Sequence, residues 1–480
     1  MIFSTPEYLF KFLPVVFVVF FALKKLKLKN IADAFLILSS FAFYIWGYGL
    51  NGSWWYVFIF AFSVLVNFGL SKVLVLVPDT YKLERKLFML FGIAGNVAML
   101  FLFKYTAYIT STANTMFSIT LPGTSIVLPV GMSFYTFIII AYLYDTYKHK
   151  SDTVTFREYL LFVTFFPQIN MGPISRQHEI IPQIRDEKRG RINTDNIMQG
   201  LSYLSIGFAK KVLLATPLMN LSNTIFQPKF NLSPITAVIG LFTGLLAVYF
   251  DFSGYVDMAI GSGLFFNIRL PDNLNSPLKA RNMQDYWQRR HITLTRFFTE
   301  FIFKKIYNPV FGILSFCGAT MITFFISGLW HGTGFRFVIW GLLHGVLVSV
   351  VGVTAILISK KHFMPNWLGR ILTMCALLIL GGFFFTPGLS AYFTYLRTMF
   401  DFGKLIDRDM LRSVYVFFLE QWRPILTMVF AFIISVFAAN SKDLVENNSK
   451  KPYFAVFCGA IFVLSAFFMA GTSSFLYNRF

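Results

Sequence analysis

Charge is scarce in this chain: only 13% of its 480 residues are charged, while 56% are hydrophobic and 19% are aromatic. A soluble globular domain carries about 25% charged residues, so this composition excludes a string of soluble domains. It also excludes a disordered chain, which needs low hydrophobicity. Apolar runs recur from Leu9 to Ala470. The sequence therefore predicts a polytopic membrane protein and not a soluble domain with a single anchor.

Cysteine is nearly absent, and the usual metal and nucleotide motifs are missing. Cys317, Cys375 and Cys458 all lie inside apolar segments, which argues against a disulfide framework and a cysteine metal site. The six histidines include no HExxH motif and no pair spaced i, i+4, and neither GxSxG nor a Walker motif occurs. We therefore expect no metal site and no bound cofactor.

Acidic residues are also few, 22 against 42 basic ones, which gives a net charge of +20. Such an excess is typical of nucleic-acid-binding proteins, but positive cytoplasmic loops of membrane proteins produce it too. Four lysines between Lys24 and Lys29 follow the first apolar run without an acid, whereas residues 105–128 carry no charge. This asymmetry favours membrane topology over a nucleic-acid partner, and it places the Lys24–Lys29 loop inside and the N-terminus outside.

The apolar runs are long enough for eleven membrane spans, because about 20 helical residues cross the hydrocarbon core. The fold class is therefore predicted as an all-α polytopic membrane protein. The predicted spans cover residues 8–23, 31–50, 53–77, 87–108, 126–144, 197–219, 234–256, 311–330, 335–357, 367–387 and 423–440, with a possible twelfth at 453–472.

Two regions do not fit as simple spans. Residues 159–166 form an apolar run too short to cross, which predicts an interfacial or re-entrant helix. Residues 257–310 are polar and rich in arginine, and irregular backbone at membrane depth survives only inside protein or beside a water-filled cavity. We expect the second region to contribute to a functional site.

Ionisable residues inside membrane segments are costly, so each needs a partner or a function. In the first polar cluster, Asp251 and Tyr255 share one helical face and Ser253 and Asp257 share another. These groups either fix helix packing through hydrogen bonds or line a substrate path.

The second cluster, residues 284–298, contains His291 together with Asp285, Trp287, Arg289 and Arg290. Aromatic and basic residues gather at membrane boundaries, so an interfacial anchor is one interpretation. Basic side chains on the cytoplasmic side also suit a phosphate-bearing ligand such as coenzyme A.

The third cluster, residues 327–345, places His331 between two predicted spans, after Trp330 and among three glycines. An imidazole can take a proton near neutral pH, which makes His331 a candidate base, although a histidine in a helix bundle is more often a packing residue. On one regular helix His344 would lie about 220° from His331, so we expect the two not to share a face, and Trp340 to lie beside His344.

Taken in order, these clusters resemble the membrane-bound O-acyltransferase family, and most closely its bacterial branch that O-acetylates alginate and peptidoglycan. The resemblance rests on six blocks: LPVGMSFYTF at 128–137, FFPQINMGPISR at 165–176, FAKKVLLA at 208–215, YFDFSGYVDMAIG at 249–261, DYWQRRHITL at 285–294 and GLWHGTGFRFVIWGLLHG at 328–345. The family usually has tryptophan where this chain has Arg290.

The resemblance implies one membrane domain over residues 1–480, with N-terminal helices to 125, a catalytic core over 126–357 and C-terminal helices from 358. It implies a ring of helices around a funnel in a bacterial inner membrane, with His331 as the essential histidine and His291 as the second. The further tunnel or substrate-binding candidates are Asp285, Trp287, Arg289, Trp330, Asp251, Ser253, Tyr255 and Asn275.

By the same resemblance, a cytoplasmic thioester, expected to be acetyl-CoA, donates an acetyl group to an acceptor hydroxyl outside. His331 would act as general base. His291, an asparagine or backbone donors could stabilise the oxyanion, and Asp285 could orient His291. An extracytoplasmic SGNH-type partner would complete delivery to the polysaccharide. Two alternatives stay open: D-alanyl transfer to teichoic acid, and a transporter or lipid flippase without covalent chemistry.

Overall fold

The computed structural model describes residues 3–49, 55–121, 128–148, 153–227, 229–358 and 364–471. This part of the chain is almost entirely helical. It contains no β-strand, and one isolated antiparallel bridge joins Leu274 and Arg290. The all-α class is therefore confirmed. The outermost residues of four predicted spans, at 50, 53–54, 126–127 and 472, lie outside the described residues.

The described residues form twenty-two α-helices. They are α1 (Leu13–Lys25), α2 (Lys29–Gly49), α3 (Tyr56–Leu76), α4 (Lys82–Phe117), α5 (Met132–Lys148), α6 (Phe156–Thr164), α7 (Phe166–Ile169), α8 (Gln177–Arg185), α9 (Thr194–Ala209), α10 (Thr216–Ile225), α11 (Pro234–Leu264), α12 (Met283–Arg289), α13 (Ile292–Phe298), α14 (Lys304–Ile306), α15 (Gly312–His331), α16 (Phe335–Leu357), α17 (Asn366–Phe385), α18 (Leu389–Met399), α19 (Arg408–Glu420), α20 (Trp422–Phe437), α21 (Ser441–Asn448) and α22 (Pro452–Phe468).

Six helices of the described chain are long and apolar enough to cross a membrane: α3, α4, α11, α15 with its preceding turn, α16 and α17. The pair α19 and α20, bent by 77°, would make a seventh span. The other predicted spans are also helical. One of them, 31–50, forms the continuous 21-residue α2, whereas the rest are short or interrupted. A π-helical segment at Glu7–Phe12 precedes α1, another at Lys210–Ala215 separates α9 from α10, and α5 and α22 have 17 residues each.

The short apolar run at residues 159–166 is confirmed as too short to cross. It forms the nine-residue α6 and the four-residue α7, and every residue of α7 is buried. The Thr155 hydroxyl accepts from the Glu158 backbone N–H, and the Glu158 carboxylate accepts from the Thr155 N–H, so a capping box fixes the start of α6.

The chain forms two compact units. The first comprises residues 1–205, 255–272 and 445–458, and the second comprises residues 206–254, 273–444 and 459–480. In the first unit, α5 is buried along nearly its whole length, and Asn67 of α3 and Asn96 of α4 donate to each other's side-chain oxygens at 3.3 and 2.7 Å. Such reciprocal amide bonds satisfy polar groups that lipid could not.

The core of the second unit packs α10, the N-terminal part of α11, α12, α16, α17 and α20 around large apolar side chains. Its largest members include Phe250, Trp287, Trp340 and Phe383. Both predicted catalytic histidines belong to this unit, so the candidate site can be described within it alone. The division of the chain into segments ending at 125 and 357 stays a prediction.

Candidate active site

His331 is the last residue of α15. The helix is broken there by residues 332–334, and α16 begins at Phe335. Gly334 makes this tight connection possible, because its φ of 103° lies in a region that residues with a Cβ rarely adopt. The break holds the His331 side chain at the junction of the two helices, where it is only 5% exposed.

The two helices beside this junction cross with their backbones almost in contact. A Cβ on Gly328 of α15 would lie 2.4 Å from the Phe337 carbonyl oxygen, and one on Gly341 of α16 would lie 2.3 Å from the Phe324 carbonyl oxygen. Small residues at helix crossings permit such close packing in membranes. The glycines around His331 thus set the separation of α15 and α16.

Aromatic rings surround the His331 imidazole. Its ring centroid lies 4.7 Å from that of Trp330, 4.7 Å from that of Trp340 and 5.6 Å from that of Phe384. Trp340 also lies 4.5 Å from His344. The prediction that Trp340 lies beside His344 is therefore confirmed.

The expectation that His331 and His344 point apart is wrong. It assumed one continuous helix, but the break at residues 332–334 reverses the chain direction and lets α15 and α16 pack side by side. Both histidines line the same cavity as a result.

His291 approaches His331 from the polar region between α11 and α15. Its ring centroid lies 6.4 Å from that of His331 and 4.2 Å from that of Phe252. The side chain is 1% exposed. The part of the polar region that belongs to the second unit therefore brings His291 close to His331, and the expectation that this region contributes to the site is met there.

The backbone at His291 is unusual, because its φ of 48° lies in the left-handed region that only a few per cent of residues with side chains adopt. Asn273 supports this turn: its carbonyl oxygen accepts from the Ile292 N–H at 3.0 Å, and its side-chain oxygen accepts from the Thr293 N–H at 3.1 Å and the Thr293 hydroxyl at 2.9 Å. Backbone strain held by such a network is common at functional sites.

Burial lowers the pKa of the His291 imidazole well below its usual value of 6.5, and the positive charge of Arg290 lowers it further. His291 is therefore a neutral imidazole at neutral pH. In that form one ring nitrogen donates a hydrogen bond and the other accepts one.

A cavity of about 50 Å³ lies between the rings. It is lined by Leu245, Val248, Tyr286, Trp287, Arg290, His331, Trp340, His344, Leu377, Gly381, Phe384 and Phe385. A buried water needs about 10 to 15 Å³, whereas whole ligand pockets run from about 300 Å³ upward. The cavity therefore has room for reacting groups but not for an entire substrate.

Two polar contacts organise the cavity wall. The Trp287 Nε1–H donates to His344 Nδ1 at 3.2 Å, which assigns the proton of a neutral His344 to Nε2. Arg290 Nη1 donates to the Tyr286 hydroxyl at 2.8 Å. The arginine thus supplies a fixed positive charge at the cavity, at the position where the resemblance implies tryptophan.

Asp251 and Ser253 of α11 contact two lysines of the π-helical segment. Lys211 Nζ lies 2.6 Å from Asp251 Oδ1, and both side chains are buried. Lys210 Nζ donates to the Ser253 hydroxyl at 2.8 Å and to the Ser441 hydroxyl at 2.5 Å. These two candidates therefore hold helices together, as the packing interpretation expected. Tyr255 belongs to the first unit, where its hydroxyl accepts from the Met171 N–H at 3.2 Å.

Of the predicted site residues, His331 and Trp287 line the cavity, and Asp285, Arg289 and Asn275 are among those that do not. The Asp285 carboxylate accepts from the Arg281 N–H at 3.0 Å and from Arg289 Nε at 2.6 Å, so it does not orient His291 as expected. The physical reason is helix geometry: Asp285 and Arg289 are four residues apart on α12 and pair along its surface. Asn275 is exposed and accepts from Asn440 Nδ2 at 3.0 Å.

Sequence reasoning missed Asn273, Trp340 as a neighbour of His331, and Phe384. The Asn273 side chain caps the start of α13, although it lies 20 residues before Thr293 in the sequence. No local sequence pattern predicts such a contact. Phe384 lies on α17, and its apolar run looked like any other span. The described residues contain no group of three or more histidine, cysteine or acidic side chains that could hold a metal.

Comparison with known proteins gives one consistent result. Residues 100–394 match the sequence profile of the MBOAT, membrane-bound O-acyltransferase family. A peptidoglycan O-acetyltransferase of Helicobacter pylori is 32% identical over 93% of this chain and 91% of its own. A probable alginate O-acetylase of Pseudomonas aeruginosa is 27% identical over 84% of this chain and 75% of its own. A teichoic acid D-alanyltransferase of Bacillus subtilis is 26% identical over 54% and 67%, respectively.

Proposed function

The chain belongs to the membrane-bound O-acyltransferase family and is a multi-pass membrane acyltransferase; from this premise we propose that it transfers an acetyl group for the O-acetylation of peptidoglycan. The donor is a cytoplasmic thioester, expected to be acetyl-CoA, and the membrane is the bacterial inner membrane. The observation that carries the proposal is the placement of His331 on a small cavity, with a second buried histidine 6.4 Å away between ring centroids.

In the proposed reaction, His331 removes the proton of the acceptor hydroxyl as its oxygen attacks the thioester carbonyl carbon. The carbon–oxygen bond forms, the carbon–sulfur bond breaks, and the proton taken by the imidazole passes to the leaving thiolate. General base catalysis of this kind is typically worth about 10² to 10⁴ in rate. The products are an O-acetyl ester and a free thiol.

Negative charge develops on the carbonyl oxygen before the carbon–sulfur bond breaks. Preorganised donors and positive charges aimed at such an oxygen are a large source of catalysis. His291, neutral and buried, and Arg290, fixed against Tyr286, are the donors near His331 that suit this role. The aromatic wall limits water, which strengthens each of these interactions.

Peptidoglycan is the proposed acceptor because the Helicobacter pylori relative named for it matches over 93% of this chain. The alginate relative matches over 84% and supports acetyl transfer to a polysaccharide. The D-alanyltransferase matches over 54% only, so D-alanyl transfer is the weaker candidate. An SGNH-type partner outside the membrane is proposed to complete delivery to the glycan.

Acyl transfer is tested by following labelled acetyl groups from acetyl-CoA in sealed membrane vesicles that contain the full chain. His331→Ala should reduce transfer by at least about 10²-fold, while Lys404→Ala, which changes a residue outside the cavity lining, should not. Undiminished movement of label in His331→Ala would exclude the enzymatic mechanism and favour a transporter or flippase.

The acceptor is tested separately by mass spectrometry of cell-wall glycans from cells with and without the gene. Loss of acetyl from muramic acid is the expected result. Loss of D-alanine from teichoic acid would overturn the proposed acceptor and donor together.

A further inference from the structure

A cluster of three cations around one carboxylate lies in the first unit, where α1 turns into α2. Asp33 Oδ1 accepts from Lys24 Nζ at 2.9 Å and also from Arg189 Nη2. The Nε of Arg157 lies 3.8 Å from the other oxygen of Asp33. We call Lys24, Asp33, Arg157 and Arg189 the hairpin cluster, because it closes the end of the α1–α2 hairpin.

The charges of the hairpin cluster do not balance. Within the part of the chain that the structure describes, Asp33 is the one acid paired with Lys24, Arg157 or Arg189. The neighbouring basic residues are balanced by contrast: Lys29 pairs with Glu187, and Arg185 pairs with Glu158. A buried cation without a compensating anion costs free energy, so this local surplus requires a negative group.

Arg189 is the member of the cluster that points most directly to a ligand. Its side chain is 2% exposed, yet its Nε and Nη1 have no hydrogen-bond partner among the described residues. A guanidinium has five N–H donors in a rigid fork, which suits the oxygens of a phosphate. Phe20 lies beneath the cations, with its centroid 5.4 Å from Lys24 Nζ and 5.7 Å from Arg189 Cζ, and holds them in place.

The position of the cluster identifies the source of the phosphate. The apolar helix α1 ends at Lys25, the chain turns at Lys27 with φ of 61°, and α2 begins at Lys29. The end of an apolar helical hairpin lies at the depth of the lipid head groups. Basic pockets between helices at the cytoplasmic surface are a known way to bind anionic head groups.

We propose that the hairpin cluster binds the phosphate of an anionic phospholipid. The lipid neutralises Lys24, Arg157 and Arg189 beyond what Asp33 provides, and so it links the α1–α2 hairpin to the segment that carries Arg189. This site is separate from acyl transfer and does not depend on the proposed function.

The test measures the thermal unfolding midpoint of the full chain, purified in a neutral detergent, with added lipid. Phosphatidylglycerol should raise the midpoint increasingly with its concentration, and phosphatidylcholine should not, because a ligand stabilises only the state that binds it. Native mass spectrometry should show phosphatidylglycerol retained by the protein. Equal shifts with the two lipids would overturn the proposal. An equal shift with inorganic phosphate alone would assign the cluster to a free anion and overturn the lipid assignment.

Single substitutions test whether the lipid binds at the hairpin cluster. Arg189→Gln should weaken phosphatidylglycerol binding by about tenfold or more, because it removes charged hydrogen bonds. Arg157→Gln changes a side chain that is 44% exposed, so it should fold and show a smaller loss. Lys29→Gln is the matched control: it removes one positive charge from the same hairpin, but from a balanced exposed pair. A full lipid shift in both arginine variants, or its loss in Lys29→Gln, would contradict the proposal.

Discussion

At the scale of single residues, the charge state of His291 distinguishes this residue from a histidine on a protein surface. Its burial and the charge of Arg290 keep the folded pKa well below 6.5, whereas the unfolded chain titrates near its ordinary value of about 6.5. Below that pH the unfolded chain binds a proton that the folded protein does not. The contribution of His291 to stability is therefore lost as the pH falls below about 6.5.

This direction of the pKa shift predicts a measurable difference between the wild type and a variant without the imidazole. The variant His291→Gln has no imidazole to titrate, so its stability should fall less between pH 7.5 and pH 5.5 than that of the wild type. Thermal unfolding midpoints at the two pH values check this, since all other groups titrate in both proteins and cancel. An equal pH dependence of the two midpoints would mean that His291 is readily protonated in the folded protein.

At the scale of helices, the crossing of α15 and α16 explains why two distant histidines share a cavity. The sequence predicted both spans well: residues 335–357 match α16, and residues 311–330 match α15 within a residue at each end. Apolar runs define helices because lipid requires every backbone group to be paired internally. The sequence did not predict that the two spans pack with their backbones almost in contact, because that depends on glycine contacts between them.

Gly328→Ala tests the crossing. The new Cβ would lie 2.4 Å from the Phe337 carbonyl oxygen, so the helices must separate, at a cost of about 1 to 3 kcal/mol. Acyl transfer should fall as well, because His331 lies one turn further along α15. Thermal unfolding and the vesicle assay measure the two effects.

The matched control is Gly318→Ala on the same helix, where nothing lies within 4 Å of the added Cβ. Alanine there should be neutral or stabilise by about 0.5 to 1 kcal/mol, since it is the better helix former. Similar losses from both substitutions would show that helix separation is not what Gly328 controls.

The ion pair between Lys211 and Asp251 joins the π-helical segment to α11 and provides a second test at this scale. Asp251→Asn leaves Lys211 charged and buried, which should destabilise the protein by about 3 to 5 kcal/mol. The double variant Lys211→Met, Asp251→Leu removes both charges and should recover most of that loss. If the double variant were as unstable as Asp251→Asn, the damage would come from packing and not from the loss of the ion pair.

At the scale of the whole molecule, the distribution of basic residues predicts how the chain lies in the membrane. Lys27 and its neighbours should face the cytoplasm, and the uncharged stretch that contains Ser118 should face outward. In a background with the three native cysteines replaced, a membrane-impermeant thiol reagent should label Ser118→Cys in intact cells. It should label Lys27→Cys only after permeabilisation. The reverse pattern would invert the proposed direction of acyl transfer.

The small cavity beside His331 also bears on whether water can compete with the acceptor in the proposed reaction. A volume of about 50 Å³ admits a water molecule as readily as it admits the hydroxyl of an acceptor. The proposed base, His331, could deprotonate either one. An enzyme that has bound the donor but no acceptor would therefore lose acetyl groups by hydrolysis. By size alone the cavity excludes neither one, so the rings around His331, which offer a water molecule few polar partners, are what opposes hydrolysis in the proposed mechanism.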